Sequence, residues 1–374
     1  MQRTFIISSM AGGGAARTTA NLANHRAACG EAVEILTLHQ PHARDVYPLH
    51  PSIVRRDLGD ARPRSDSTSA VLRLLARLKA PAPVVLHAPL MARLRDALRG
   101  RDCTAIGVGD LTNVRLLIAA HGLPLRVIAS EMADPEGYSI GAWERVRLHM
   151  YRHADAVVCL TEEHADFFRG QGLERVHAIP NPVLPAPPRN GARRERLVLS
   201  LTRLSWEKDL GLLIRAFGEV APRHPEWRLE IWGTGPARRE LESLVAALQL
   251  QDRARLPGMT LDVYEPLARA ELFAMTSRTE GIPNALCEAM AAGVAPVVID
   301  CSAGMRAVIR DGIDGVLVRR RDAFASALDT LMRDDGRRGR LAARAPEVTT
   351  RFAPERIAAR WDGILESGKV VHAC

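Results

Sequence analysis

Ser277-Arg278-Thr279-Glu280-Gly281-Ile282-Pro283-Asn284-Ala285-Leu286-Cys287-Glu288-Ala289-Met290-Ala291-Ala292-Gly293 reads as a strand end, a tight loop through Gly281 to Asn284, and a helix closed by Gly293 on its C-cap side. A helix entered from a strand through a glycine turn directs its first backbone N–H groups, and the positive end of its dipole, at one spot. A diphosphate is stabilised there, held by the amides of Gly281, Ile282 and Asn284. Glu288 lies about one turn into the helix, within reach of a ribose diol, and Glu280 stands before the loop, facing whatever the diphosphate carries. Two glutamates at this spacing also arise by chance, and exposed helical glutamates usually face solvent. Here the glycine, the proline, the helix start and the strand all fall in register.

Outward from this segment, short apolar runs alternate with longer helical patterns, the signature of βαβ units and parallel sheets. In the first half, residues 4–8, 33–38, 84–86, 104–108, 126–129 and 156–159 are expected as strands and 21–29 as a helix ended by Gly30. From Ile179 to Pro188 the composition turns to proline, which neither sheet can absorb. The pattern then restarts, with strands at 197–201, 227–232, from 255, 272–276, 294–299 and 315–318, and helices at 210–220 and 237–248. The expected fold is α/β: two Rossmann-like doubly wound domains facing each other across a cleft. The expected divisions are an N-terminal domain over 1–182, a Pro-rich linker over 183–195, a C-terminal domain over 196–350, and a C-terminal helix within 351–374 that carries Trp361 and crosses back to the first domain. Low complexity is confined to 60–69, read as a surface loop.

Composition bounds the function. The 374 residues suit two domains, and 47% hydrophobic with 25% charged residues is ordinary for a soluble globular chain. Lys+Arg of 51 against Asp+Glu of 43 gives +8, which favours anionic partners. Only Lys79, Lys208 and Lys369 are lysines, so a lysine inside a motif is informative. Nucleic-acid binding would rest on net charge alone, because aromatics are 4% of the chain and no binding motif is present. The six cysteines, Cys29, Cys103, Cys159, Cys287, Cys301 and Cys374, have neither CxxC nor zinc spacing and read as reduced thiols of a cytoplasmic protein. The N-terminus places one Arg before a short apolar run, as a signal peptide would, but that run enters three glycines and fits a strand better. No apolar run approaches the roughly 20 residues of a spanning helix.

Three further loops bear on chemistry. In Thr202-Arg203-Leu204-Ser205-Trp206-Glu207-Lys208-Asp209, Arg203 and Lys208 are placed to converge on the same diphosphate and stabilise it as a leaving group without a metal. The alternative is a surface loop with a solvated Glu207–Lys208 pair. Gly233-Thr234-Gly235-Pro236 follows a strand, a pattern that by itself is weak and most often structural. Gly12-Gly13-Gly14-Ala15-Ala16-Arg17 follows the first strand but is not GxGxxG, and Leu36-Thr37-Leu38-His39 lacks the acid of an NAD site. No Asp-x-Asp triplet is present to hold Mn or Mg.

These segments resemble the retaining glycosyltransferases of family 4, which have the GT-B fold. Glu280 to Glu288 matches that family's Glu-x7-Glu motif with its usual surroundings, and the loop with Arg203 and Lys208 is similar to its Gly-Arg-Leu-x-x-x-Lys, Thr202 standing where glycine is common. The resemblance implies that Glu280 contacts the donor sugar, Glu288 the nucleotide ribose, and Arg203 and Lys208 the pyrophosphate, with Gly233 in a Gly-x-Gly-Pro turn and Gly258 and Met259 near the donor base. Gly13, Gly14 and Arg17 match a Gly-Gly-Ala-Glu-Arg loop in which Ala16 replaces the glutamate. Glu131 and Asp134, in Ser130-Glu131-Met132-Ala133-Asp134-Pro135, resemble a bacterial Ser-Glu-Arg-x-Asp-Pro segment, with Met132 in place of Arg. They are either acceptor-side carboxylates or a structural glutamate and a helix cap. Asn181-Pro182 matches an interdomain hinge, and the resemblance runs from residue 3 to about 366.

The implied activity is transfer of a sugar, with retained anomeric configuration and no metal or cofactor, from a nucleotide sugar, a UDP-sugar foremost, to a glycan or polyprenyl-diphosphate-linked acceptor. Domain closure would expel water and present the acceptor from the first domain. Met91 to Arg101 is either an arginine-rich strip for an acidic membrane at the inner face of the cell or a solvated helix. An NAD-dependent oxidoreductase and a GT-B phosphorylase or epimerase are the alternatives.

Overall fold

The computed structural model describes residues 2–40, 45–188 and 194–366; linker positions 189–193, Lys369 and Cys374 lie outside them. The chain divides into two compact units, one of Met1–Pro182 with the segment from Pro354, the other of Val183–Ala353.

In the first unit, strands β1 (Gln2–Ile7), β2 (Val33–Thr37), β3 (Val54–Asp57), β4 (Cys103–Val108), β5 (Arg126–Ser130), β6 (Ala156–Cys159) and β7 (Val176–Ala178) form one parallel sheet in the order β3-β2-β1-β4-β5-β6-β7. Phe5 stands opposite Ile35 on one side and Ile106 on the other. Because side chains alternate along a strand, Phe5, Ile7, Ile35, Ile106 and Ile128 enter one core while Ile6, Leu36, Ala105 and Val127 enter another, so both faces are buried as a parallel sheet requires. Helix Pro354–Glu366 closes the first of these cores with Ile357, Trp361, Ile364 and Leu365. Polar ties hold it there: Arg26 pairs with Asp362, and Arg126 Nη1 donates to the carbonyl of Leu365 at 2.7 Å.

The second unit repeats the plan. Strands β8 (Glu195–Leu201), β9 (Arg228–Trp232), β10 (Ala254–Gly258), β11 (Ala270–Met275), β12 (Ala295–Ile299) and β13 (Val316–Val318) lie parallel in the order β10-β9-β8-β11-β12-β13. Val198, Phe217, Trp227, Leu272, Val297, Phe324 and Leu328 fill a core on this sheet. Each sheet reverses its winding beside its first strand, between β1 and β4 and between β8 and β11. Loops that leave the carboxyl ends of such a strand pair diverge and open a ligand crevice.

Four local expectations are corrected. Residues 84–86 belong to or follow helix Ala82–Val85 rather than a strand; three apolar residues carry too little periodicity to separate the two. Within 60–69, helix Ser65–Arg77 begins, with Ser67 buried and its hydroxyl 2.5 Å from Asp96, since Ser and Asp favour helix starts as much as loops. The first helix spans Gly14–Ala28, starting well before residue 21. The arginine-rich stretch is helix Ala88–Leu98 and its exit, with Met91, Ala92, Leu94 and Leu98 buried. Its cations are engaged inside the unit: Arg95 donates to the carbonyls of Ala119 (2.9 Å) and His121 (2.7 Å), Arg99 to Asp66 (2.7 Å), and Arg101 to Glu34. It is therefore neither a freely solvated helix nor a free basic strip. Strands β3 and β7 escaped the sequence reading, both being edge strands, β3 largely polar and β7 only three residues long. Among the described residues, no helix is long and apolar enough to cross a membrane.

Candidate functional site

The loops leaving β8 and β11 run side by side because the sheet pairs those strands. From β8 the chain passes through Thr202–Lys208 to Asp209, which takes a left-handed conformation (φ 43°, ψ 47°) and turns into helix Leu210–Val220. The β9 loop is pressed against this segment. Leu204 N–H donates to Thr234 O at 2.9 Å, and a Cβ on Gly233 (φ +143°) would stand 1.8 Å from the Thr202 carbonyl oxygen. Only glycine permits that approach. The Gly233 N–H is itself engaged by Gly258 O at 2.7 Å, so Gly233 serves packing and has no amide to offer a donor. Gly258 (φ +106°) ends β10 and leads to Met259, which is exposed.

The β11 loop is laced to the β8 loop. Thr276 Oγ1 donates to the carbonyls of Lys208 (3.2 Å) and Asp209 (3.0 Å), and Arg278 N–H to Glu207 O (2.8 Å). Across this seam Lys208 Nζ donates to Glu280 Oε1 at 2.7 Å, and the Ser277 hydroxyl donates to the same oxygen at 2.7 Å. Both charged side chains are largely buried, 15% and 12% exposed, which leaves their attraction little screened. Asp209 accepts from Arg321 and lies 3.0 Å from Arg278, while Arg321 also donates to Thr276 O (2.6 Å) and Ser277 O (3.3 Å). Behind the loop, a Cβ on Gly304 would fall 1.4 Å from Gly281 O, so helix Ala303–Val308 starts directly against Gly281. Beside it burial, with Glu280 adding, pushes the Cys301 thiol up to about 12.

Helix Asn284–Ala291 follows and carries Glu288, half-buried, before Gly293 (φ +68°) closes it. Gly281, Asn284 and Glu288 thus share one loop and helix with Glu280. Ile282 is buried. Arg203 is not brought to Lys208 and Glu280: its side chain is 70% exposed and lies 3.7 Å from Glu207, whose carboxylate accepts the Ser205 hydroxyl at 2.6 Å. Sequence reasoning missed Asp209 and Arg321. Asp209 adjoins Lys208 in the quoted loop and was readable as its neighbour; nothing in the sequence pairs it with a residue beyond β13.

In the first unit, Gly12 (φ +126°) and Gly13 (φ +90°) lead from β1 towards the helix that Gly14 opens. The Tyr47 hydroxyl reaches Gly13 O at 3.4 Å, and the Arg17 guanidinium stands 4.5 Å over the Tyr47 ring. Glu131 is 2% exposed and turned inwards: the Tyr151 hydroxyl donates to Oε1, Asn113 Nδ2 lies 3.4 Å from it, and Arg147 stands 3.9 Å from Oε2. Burial pushes its carboxyl up to about 8. This places Glu131 in an internal network rather than on an acceptor-facing surface. Asp134, also buried, accepts the Glu136 N–H at 3.1 Å and lies 3.7 Å from His164.

The pattern of Glycosyltransferase Family 4 matches residues 12–186, and that of Glycosyl transferases group 1 matches residues 187–348, one on each half of the fold. Each half of the chain thus matches a glycosyltransferase family pattern, on a fold of the GT-B type. The chain is 31% identical over 354 residues to an exopolysaccharide phosphotransferase of Streptomyces coelicolor, covering 89% of this chain and 37% of that one. It therefore spans little more than a third of that relative's length. It is 25% identical over 369 residues, 96% of this chain and 97% of the other, to a Campylobacter jejuni α-1,4-N-acetyl-D-galactosaminyltransferase whose name specifies a PP-undecaprenol-linked glycan. The S. aureus TarM structure, crystallised with UDP, fondaparinux and α-GlcNAc-glycerol, matches with a TM-score of 0.80 at 13% identity, over 97% of this chain and 99% of that one, a likeness of fold.

Proposed function

We propose that the protein transfers a sugar from a UDP-sugar to a glycan or polyprenyl-diphosphate-linked acceptor, with retention at the anomeric carbon and without a metal ion. The observation that carries this reading is the Lys208–Glu280 contact of 2.7 Å at the strand switch of the second unit, one group suited to a diphosphate and the other to sugar hydroxyls. On this reading Glu288 accepts from the ribose, the Gly281–Asn284 loop amides and Lys208 hold the diphosphate, and Glu280 orients the sugar. As the bond from the anomeric carbon to the phosphate oxygen breaks, the ammonium of Lys208 stabilises the charge gathering on the leaving diphosphate. The acceptor hydroxyl attacks the same face, and its proton passes to the departing phosphate oxygen. The exposed Arg203 is a weaker candidate than Lys208 for the diphosphate. The Campylobacter relative's lipid-linked glycan supports a similar acceptor, which would bring the enzyme to the inner face of the membrane.

Thermal unfolding with UDP, GDP, ADP and NAD in parallel tests the reading, since a ligand at about 100 times its dissociation constant adds roughly 2.7 kcal/mol. A midpoint raised selectively by UDP is expected. A response to GDP or ADP alone changes the donor, and a response to NAD alone overturns the glycosyl-transfer reading. Turnover of the nucleotide sugar without any acceptor would instead favour an epimerase.

A further inference from the structure

Of the five tryptophans, Trp143, Trp227 and Trp361 are buried, and Trp232 is half-buried with its indole N–H on Glu230 at 2.8 Å. Trp206 is 74% exposed. It forgoes one of the largest apolar burials a side chain can make, and it does so in the β8 loop, two residues before Lys208. Its ring contact is charged: the Arg278 guanidinium, from the β11 loop, stands 5.9 Å over the indole. That contact places Trp206 towards β11 and Glu280. Along the order β10-β9-β8-β11, the sequence resemblance puts the donor base near Gly258 and Met259 after β10, while the proposed function holds the diphosphate between Lys208 after β8 and the loop after β11, with the sugar at Glu280. Trp206 therefore stands in the loop that carries Lys208, with β9 between its strand and the strand that ends at Gly258.

Beside Arg278 the charge is unbalanced. The single Asp209 carboxylate serves both Arg278 and Arg321, and Arg203 is 70% exposed with Glu207 no nearer than 3.7 Å. A flat indole with a guanidinium over one face presents its other face to the C–H face of a pyranose, and the guanidinium offers donors to an anionic substituent.

We propose that Trp206 and Arg278 form a subsite for a pyranose that carries a negative charge, the ring stacked on the indole and the anionic group on the guanidinium. This names the class of sugar taken at the site and rests on the glycosyl-transfer reading above. Titrating the full chain, with and without UDP, with glucuronic acid, N-acetylglucosamine 1-phosphate and glucose tests it, because an exposed indole reports stacking through its fluorescence. At least one anionic sugar is expected to quench that fluorescence and to bind about tenfold more tightly than glucose, the carboxylate and phosphate arms telling which anion is preferred. By calorimetry Trp206→Leu is expected to lose about tenfold in affinity for that sugar, while Trp206→Tyr, which keeps an aromatic face, stays within about threefold. Neither change should alter the midpoint shift given by UDP. Equal binding of glucose, or unchanged affinity in Trp206→Leu, overturns the subsite; quenching by UDP alone gives the ring to the base and overturns it too. Failure of UDP to raise the wild-type midpoint removes the donor reading instead, while the titration without UDP still judges the subsite.

Discussion

Lys208 is one of three lysines in the chain, and it is the one that meets Glu280 across the seam of the second unit. Glu280→Ala is expected to reduce sugar transfer by about 100-fold or more, with the UDP midpoint shift largely kept, because the diphosphate contacts lie elsewhere. Lys208→Ala is expected to weaken both turnover and the midpoint shift. Unchanged turnover in either variant would remove the pair from the site. Glu131 supplies a test of a different kind. Its carboxyl is raised from 4.5 to about 8 by burial, so the folded state holds a proton that the unfolded chain has already released. That contribution to stability is complete below the unfolded value and is lost as pH rises through the folded one. Urea unfolding of wild type should therefore show falling stability from about pH 5 to pH 8, with Glu131→Gln, neutral throughout, losing less. Parallel pH profiles would show that Glu131 is ionised in the fold.

At the scale of elements, the glycine loops of the second unit differ in what they do. Gly258→Ala meets open space and carries backbone strain of about 1–2 kcal/mol. Gly233→Ala adds a collision with the Thr202 carbonyl and is expected to cost more than about 3 kcal/mol in denaturant unfolding, dragging the β8 loop and nucleotide binding with it. Equal losses would mean that the β8 and β9 loops are not packed as described. Elements were legible where the local signal was redundant. The apolar run and glycine exit of β8 and β11, and the amphipathic helix Leu210–Val220, are read in sequence almost as they fold. β3 was not, because Val54-Arg55-Arg56-Asp57 is an edge strand whose exposed backbone and side chains ask for no apolar alternation. Val84 and its neighbours misled for the opposite reason: a short apolar run looks the same in a strand and in a helix, and here Val84 is buried while Val85 and Leu86 are exposed.

For the whole molecule, the chain's last described helix belongs to the first unit although it follows the second in sequence. Trp361, 4% exposed in that unit's core, makes this testable. Trp361→Ala is expected to cost about 3–5 kcal/mol and to lower hydrogen-exchange protection in β1 to β7 while β8 to β13 keep theirs. Loss confined to the second unit would contradict the division. Local residue order was enough to establish the α/β class, the two sheets and the loop that holds Glu280 and Glu288, because a strand, a glycine and a helix start are written within a few consecutive residues. It was also enough to single out Lys208. What required the folded chain was partnership over long sequence distance. Arg321 reaches Asp209 across 112 positions, Gly304 lies against Gly281, Glu131 turns inwards to Tyr151, and Arg203, equal to Lys208 in the sequence pattern, points to solvent. Such pairings depend on which strands lie side by side and on which groups can be buried only when neutralised. Neither condition is encoded in any one stretch of residues.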